Sequence, residues 1–445
     1  MDLIYGIKDK PKFGQLLIFA LQQLLAIMAA TLVVPVIIGH GMQPAAALFG
    51  AGLGTLVYIL FTKRNSPVFL GSSFAFLGSM AAAFAGGVSM QLGYLGLLIG
   101  AIFAGLVYVV IAIIVKLAGV KWINKIMPAV VIGPTVAIIG LSLASNAISD
   151  LTKVNYMVGE AAPGSPYVAL ICGLITLAVT MLCSTYGKKM TRLIPFILGI
   201  LAGYLSATAL YFIGKAAGIP SLMIIDFSAF SNMGSILALP DFTFLTAMGG
   251  ISELTGAYIG TIAVAYIPVA FVVFAEHIAD HKNLSSIIGQ DLLENPGLHR
   301  TLLGDGVGSI VGAFFGGCPN TTYGESVGCV AITRNASVAS IITAAIGALF
   351  ISCISPFVAF VNSIPSCVMG GVCMALYGFI AVSGLKMIKN VDLEQNRNLF
   401  VVSVILIAGI GGLSLTFGQV TITNIATALI LGILTNLMLS KAKEQ

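Results

Sequence analysis

Charge is scarce in this 445-residue chain: 8% of its residues are Asp, Glu, Lys or Arg, against about a quarter in an ordinary soluble domain. With 58% apolar residues, the polar set is too small to clothe a soluble protein of this size. A disordered tail and a basic nucleic-acid face both need runs of charge, and neither is present. The seven cysteines stand singly, mostly inside apolar runs, with no CxxC and no His/Cys cluster. They read as small core residues, not as metal or redox ligands. The sequence also lacks an HExxH motif and any evident nucleophile beside a base, which argues against an intramembrane enzyme.

What the chain has instead is long apolar runs. Runs near 14–38, 45–62, 92–117, 127–147, 166–184, 193–214, 262–281, 338–362, 365–385, 398–417 and 420–440 are each long enough to cross a hydrocarbon core, which takes about 20 helical residues. Three more, 67–86, 303–317 and 320–333, are apolar but short or broken by glycine, and counting them predicts fourteen spans. The first run follows a basic segment, Met1 to Phe13, without a small-residue cleavage site, so it reads as a span and not as a signal peptide.

Cytoplasmic loops carry the Lys/Arg excess, which tests that count. Alternate loops hold Lys8, Lys10 and Lys12; Lys63 and Arg64; Lys116, Lys121 and Lys125; Lys188, Lys189 and Arg192; Lys282 and Arg300; Arg334; Lys386, Lys389 and Arg397; then Lys441 and Lys443. Only Lys153 and Lys215 fall in the loops between. Nineteen of the 21 basic residues share one side only if 67–86 and 320–333 both cross. Both termini are then cytoplasmic, and the net charge of +5 reflects topology, not an acidic partner.

Fourteen spans divide into seven and seven, and an odd-numbered repeat must be inserted upside down relative to its partner, a plan common among secondary transporters. The predicted halves are residues 1–235 and 236–445. A weak internal likeness supports them: Met127-Pro128-Ala129-Val130-Val131-Ile132-Gly133 against Ile364-Pro365-Ser366-Cys367-Val368-Met369-Gly370. The polar stretch 215–261, with Asp226, Asp241 and Glu253, reads as the outer linker. In equivalent places of the two halves, Leu70-Gly71-Ser72-Ser73-Phe74-Ala75-Phe76 and Pro319-Asn320-Thr321-Thr322-Tyr323-Gly324-Glu325-Ser326 read badly as helices. Irregular backbone at membrane depth is tolerated only inside protein or beside a wet cavity, so this pair marks a candidate binding site.

A carboxylate inside a span costs roughly 2.5–3.5 kcal/mol on insertion scales, so each one is a functional candidate. Glu276 and Asp280, four residues apart, project from one helix face; Glu325 sits in the second broken stretch. Desolvated carboxyls can change protonation as a site opens and closes, which is the chemistry of proton coupling. A protonated Glu also pairs an O–H donor with a C=O acceptor, complementary to a cyclic amide. Asp305 reads either as an intramembrane acid or as a helix N-cap. Gln22 and Gln23 either face the same cavity or bond across helices, His277 points about 100° away from Glu276, and Tyr377 is a cavity or a packing tyrosine.

Phe274-Ala275-Glu276-His277, the two broken stretches and Pro296-Gly297-Leu298-His299-Arg300 together closely resemble the uracil permeases of the nucleobase:cation symporter-2 family, over essentially the whole chain. The resemblance implies an all-α membrane fold of fourteen spans in two inverted repeats, with strand pieces opening spans three and ten. It divides each half into a core (14–120 and 262–362) and a gate (127–218 and 365–440). It also implies that Glu276 and Glu325 bind a uracil ring, helped by Ser73, Phe74, Tyr323 and Gly324 and by Tyr377 from the gate. Glu276, Asp280 and Glu325 become the proton-coupling set, with Gln22, Gln23, Asp305 and Asn320 in support. The expected activity is proton-driven import at a bacterial inner membrane with elevator-like core movement, without a cofactor or metal, sodium remaining open as the coupling ion and a homodimer possible. Four positions depart from the usual uracil pattern. Asp280 stands where His can occur, Gln23 replaces the His of a Gln-His pair, Ser326 replaces the usual Asn, and Asp305 matches xanthine and urate carriers. A purine carrier is therefore the nearest alternative, and an anion carrier or channel of similar seven-plus-seven plan is the alternative from another class.

Overall fold

In lipid every backbone N–H and C=O must find a partner within the protein, so the apolar runs have little choice but to become helices. The computed structural model describes residues 3–119, 128–156, 164–188, 190–231, 233–389, 391–417 and 420–441. Among the basic residues and the repeat motif noted above, Lys121, Lys125, Met127, Lys189 and Lys443 lie outside them. Among the described residues, eight helices are long and apolar enough to cross a membrane.

The chain opens with α1 (Phe13–Ile38) and α2 (Pro44–Phe61), the latter started by a proline whose missing N–H is harmless in the first turn. Strand β1 (Leu70–Ser72) and the short α3 (Leu77–Ala83) replace a third full helix. Helices α4 (Met90–Ala118), α5 (Ala129–Ser142), α6 (Ala144–Leu151), α7 (Pro166–Tyr186), the single turn α8 (Met190–Leu193) and α9 (Pro195–Ala217) follow. Beyond the linker come α10 (Gly256–Ile288), capped by the Thr255 hydroxyl on the Tyr258 N–H, and α11 (Leu298–Gly316). Strand β2 (Asn320–Thr322) and α12 (Gly324–Thr333) form the second interrupted element. The chain ends with α13 (Val338–Ile351), α14 (Ser355–Asn362), α15 (Ser366–Ile388), α16 (Asn396–Ile410), a hairpin of β3 (Leu415–Phe417) and β4 (Val420–Ile422), and α17 (Asn424–Met438).

Two parts of this differ from the expected runs. The run 338–362 is broken between α13 and α14, where Pro356, which has no N–H to continue the α13 ladder, falls in the first turn of α14 and the linker offers backbone partners: Ala238 N–H donates to Cys353 O at 3.0 Å and Ser355 N–H to Ile236 O at 2.9 Å. The runs 398–417 and 420–440 shorten to α16 and α17 because Gly411-Gly412 ends the first helix and the threonine- and valine-rich stretch after it pairs as a hairpin.

Lipid-facing helices gain little from burying apolar groups against one another, so close packing depends on small residues. A Cβ on Gly50 would lie 2.3 Å from Gly312 O, and one on Gly54 2.6 Å from Gly308 O, so α2 and α11 meet backbone to backbone. The same device joins α5 to α15: a Cβ on Gly140 would lie 2.2 Å from Tyr377 O, and one on Gly384 2.3 Å from Ala137 N. Between these two tightly packed groups of helices lies the pair of interrupted elements.

Candidate functional site

The two broken stretches pair antiparallel, with Leu70 opposite Thr322, Gly71 opposite Thr321 and Ser72 opposite Asn320. Two three-residue strands cannot satisfy their outer edges, and neighbouring side chains complete the work. Thr55 Oγ1 accepts from Leu70 N–H at 3.0 Å, Ser326 Oγ accepts from Phe69 N–H at 3.0 Å, and Ser73 N–H donates to Pro319 O at 2.9 Å. Asn320 Nδ2 donates to Gly50 O at 3.1 Å and ties β2 to α2. The Tyr323 ring lies across Gly71, where a Cβ would sit 2.3 Å from it, and its hydroxyl donates to Ser72 O at 2.6 Å. Gly71 is therefore required by the close approach of an aromatic ring and not by a turn.

These contacts present one face of the strand pair to a cavity of about 400 Å³. Its walls include Ser73 and Phe74 after β1, Thr321 to Glu325 around β2, and Glu276 and Asp280 from α10. Opposite lie Val136 and Ile139 of α5, Phe196 of α9, and Leu376, Phe379, Ile380 and Ser383 of α15. Arg192 of α8 also lines it. Asp280 is held in place by Thr322, whose hydroxyl donates to Oδ2 at 2.9 Å. Glu276 and Glu325 make no side-chain hydrogen bond to another described residue and keep their carboxyl groups for the cavity. Three carboxyls around so small a space repel one another when ionised. The first turn of α12 starts at the cavity with Gly324 and Glu325, whose N–H groups have no carbonyl partner within the helix.

Of the residues singled out from sequence, Glu276, Asp280, Glu325, Ser73, Phe74, Tyr323 and Gly324 line this one space. The others sit behind or beside it. Tyr377 is buried and packs edge to face on Phe74, ring centroids 6.1 Å apart, while its helix neighbours Leu376 and Phe379 reach the cavity. Gln22 and Gln23 bond across helices, Gln22 to Met190 Sδ at 2.8 Å and Gln23 to Ser326 Oγ. Asp305 lies in the interior of α11, which overturns the N-cap reading, and its Oδ2 meets His277 Nδ1 at 2.7 Å. Thr301 holds the other ring nitrogen of His277 at 2.9 Å, so that ring is turned wholly away from the cavity. The sequence reading missed the apolar wall opposite the strand pair and Arg192. Val136, Ile139 and Phe379 lie on helices apolar all round, which leaves no stripe to reveal the facing side. Arg192 was one base among the cytoplasmic loops, and its position just before Pro195 was the only available signal.

A bundle of membrane-length helices built around two mutually paired, interrupted elements, with acids and backbone donors converging on one cavity, is the architecture of a membrane carrier. The Permease family model matches residues 14–417, and the chain belongs to that family. It is 38% identical over 445 residues to the uracil permease of Bacillus subtilis (strain 168), covering 99% of this chain and 96% of that protein. It is 35% identical over 430 residues to the uracil permease of Escherichia coli (strain K12), covering 96% and 92%. Its fold is similar to the transmembrane domain of the cyanobacterial bicarbonate transporter BicA, with a TM-score of 0.64 at 15% identity over 97% of this chain and 100% of that one. These relatives are permeases, that is transporters and not enzymes, and the chain is a multi-pass membrane protein.

Proposed function

We propose that this protein imports uracil by proton symport. The observation that carries the reading is the convergence of Glu276 and Glu325, neither with a side-chain hydrogen bond to another described residue, on a cavity floored by the β1–β2 pair. A protonated glutamate offers the donor–acceptor pair that a cyclic amide needs, and two such groups on different elements can grip one planar ring from two edges. Ser73 and Gly324 supply further polar backbone, while Phe74 and Tyr323 supply ring faces. Tyr377 acts through Phe74, and Asn320, Gln23 and Asp305 act by fixing the elements that carry the site. The near-full-length similarity to uracil permeases supports the choice of substrate.

In this reading the chain crosses fourteen times as two inverted repeats, 1–235 and 236–445, with both termini cytoplasmic at a bacterial inner membrane. The core parts 14–120 and 262–362 carry substrate and proton past the gate parts 127–218 and 365–440 in an elevator-like movement, and a homodimer would anchor the gates. Glu276 is the leading proton carrier, followed by Asp280. The acidic lining disfavours an anion substrate despite the shared fold.

Radiolabelled uracil uptake, with and without a protonophore, tests the reading. Accumulation that collapses on adding protonophore is expected, and absence of proton-dependent uptake of any nucleobase would overturn it. Competition by xanthine, urate and hypoxanthine separates a purine carrier, and replacing sodium in the medium separates the coupling ions.

A further inference from the structure

The stripe of α10 that faces away from the cavity carries two histidines whose hydrogen bonds can be followed atom by atom. His277 is held by Asp305 and Thr301 of α11, and the His281 ring, one turn later, stacks on the His277 ring with centroids 4.0 Å apart. His281 Nδ1 meets His277 O at 2.8 Å, and its Nε2 meets the Tyr58 hydroxyl of α2 at 2.7 Å. The same hydroxyl meets Ser66 Oγ at 2.7 Å, in the segment that leads from α2 into β1. Tyr58, Ser66 and His281 are all fully buried.

The direction of each bond follows from counting hydrogens. A carbonyl only accepts, so His281 Nδ1 carries a hydrogen and donates it to His277 O. Among the described residues no carboxylate lies within 4 Å of the His281 ring, and a buried ring without an anion beside it is neutral, so Nε2 is a bare lone pair. Tyr58 must give its one hydroxyl hydrogen to that lone pair, which leaves Ser66 as the donor to the Tyr58 oxygen. The chain therefore runs one way, from Ser66 through Tyr58 and His281 to the α10 backbone. The Tyr58 ring is also closely seated: it lies on Gly304 of α11, where a Cβ would be 3.1 Å from its Cδ2.

This chain fixes the angle of a helix and its distance from a strand. Glu276 and Asp280 each precede one of the histidines, so the two stripes lie about 100° apart on one cylinder, and α10 cannot turn its acids without turning its histidines. On α2, Thr55 stands three residues before Tyr58 and accepts from Leu70 N–H, so one face of α2 holds both β1 and the approach to it. We propose that Tyr58 and His281 are positioning residues for substrate binding: one phenolic hydroxyl ties the helix bearing Glu276 and Asp280 to the strand that leads into Ser73 and Phe74, and so sets the spacing of two sides of the site without touching the nucleobase. The inference rests on the transport reading and adds to it two residues outside the cavity.

Initial rates of radiolabelled uracil uptake, normalised to the amount of full-length protein in the membrane, give KM and kcat for each variant. Tyr58→Phe keeps the ring and removes the donor, so KM should rise about fivefold to tenfold with kcat within about twofold of the parent. Substitutions of the histidine separate positioning from packing. In His281→Gln the side-chain carbonyl takes the place of Nε2 and still accepts from Tyr58, so KM should stay within about twofold of the parent, whereas His281→Asn is too short to reach the hydroxyl and should behave as Tyr58→Phe does. Should Tyr58→Phe fail to reach the membrane, the comparison of Gln with Asn decides. A parent-like KM in Tyr58→Phe, even with a lowered melting temperature, or equal KM values in the Gln and Asn variants, overturns the proposal while leaving the transport reading intact. A parent protein that takes up no uracil overturns both.

Discussion

The two walls of the cavity are built on opposite principles. One, made of β1, β2, α10 and α12, is polar, holds three carboxyls and is pinned by hydrogen bonds from Thr55, Asn320, Thr322 and Tyr323. The other, made of α5, α8, α9 and α15, offers Val136, Ile139, Phe196, Phe379 and Ile380, with Ser383 and Arg192 as its polar members. Hydrogen bonds are directional and fix geometry, whereas apolar contacts are tolerant of displacement. The difference teaches that geometry is fixed on one wall and left tolerant on the other.

That contrast can be broken most severely at Glu276. Glu276→Gln keeps the shape but cannot exchange a proton, and gradient-driven accumulation of uracil should fall to background; normal accumulation would remove Glu276 from the coupling role. Next comes the packing beneath the polar wall. In Gly312→Val the new side chain would start 2.1 Å from Asn320 Nδ2, displacing the anchor of β2, with an expected cost of about 3 kcal/mol or more, read as a lower melting temperature of the purified protein. Thr322→Val removes the donor to Asp280 without changing size, worth about 1 kcal/mol, so the KM for uptake should rise about fivefold at unchanged expression. Ile139→Val on the apolar wall takes away one methylene and should leave KM within about twofold. A large effect there, matched to a small one at Thr322, would reverse the assignment of the walls.

The polar wall was legible in the sequence because acids and glycine-rich breaks inside apolar runs are rare enough to stand out. Glu276, Asp280, Glu325 and the stretches 70–76 and 319–326 all announced themselves by being costly in lipid. That each stretch opens as a short strand came from the resemblance, whereas their pairing with each other and the residues that pin them did not show at all. Thr55 is one threonine inside an apolar helix, and only the fold places it beneath Leu70. Gln22 and Gln23 were read as facing the cavity or bonding across helices, and His277 as turned from Glu276, but none could be given a partner, since Met190, Ser326 and Asp305 lie 168, 303 and 28 residues away. The break between α13 and α14 was hidden because its cause is a linker some hundred residues earlier that supplies Ile236 and Ala238. The apolar wall stayed invisible because composition cannot say which side of a uniformly greasy helix faces inward.

The β1–β2 pair also constrains how the protein is made. Leu70 emerges from the ribosome about 250 residues before Thr322, an interval of about 12–50 s at 5–20 residues per second. Throughout that time the first strand has no backbone partner, and a bare N–H or C=O in hydrocarbon costs several kcal/mol. The segment must therefore wait in a wet or chaperoned place, at the insertion machinery or near the membrane surface, until the second strand arrives. Completion of the first interrupted element is in this sense deferred until the second half of the chain is being made.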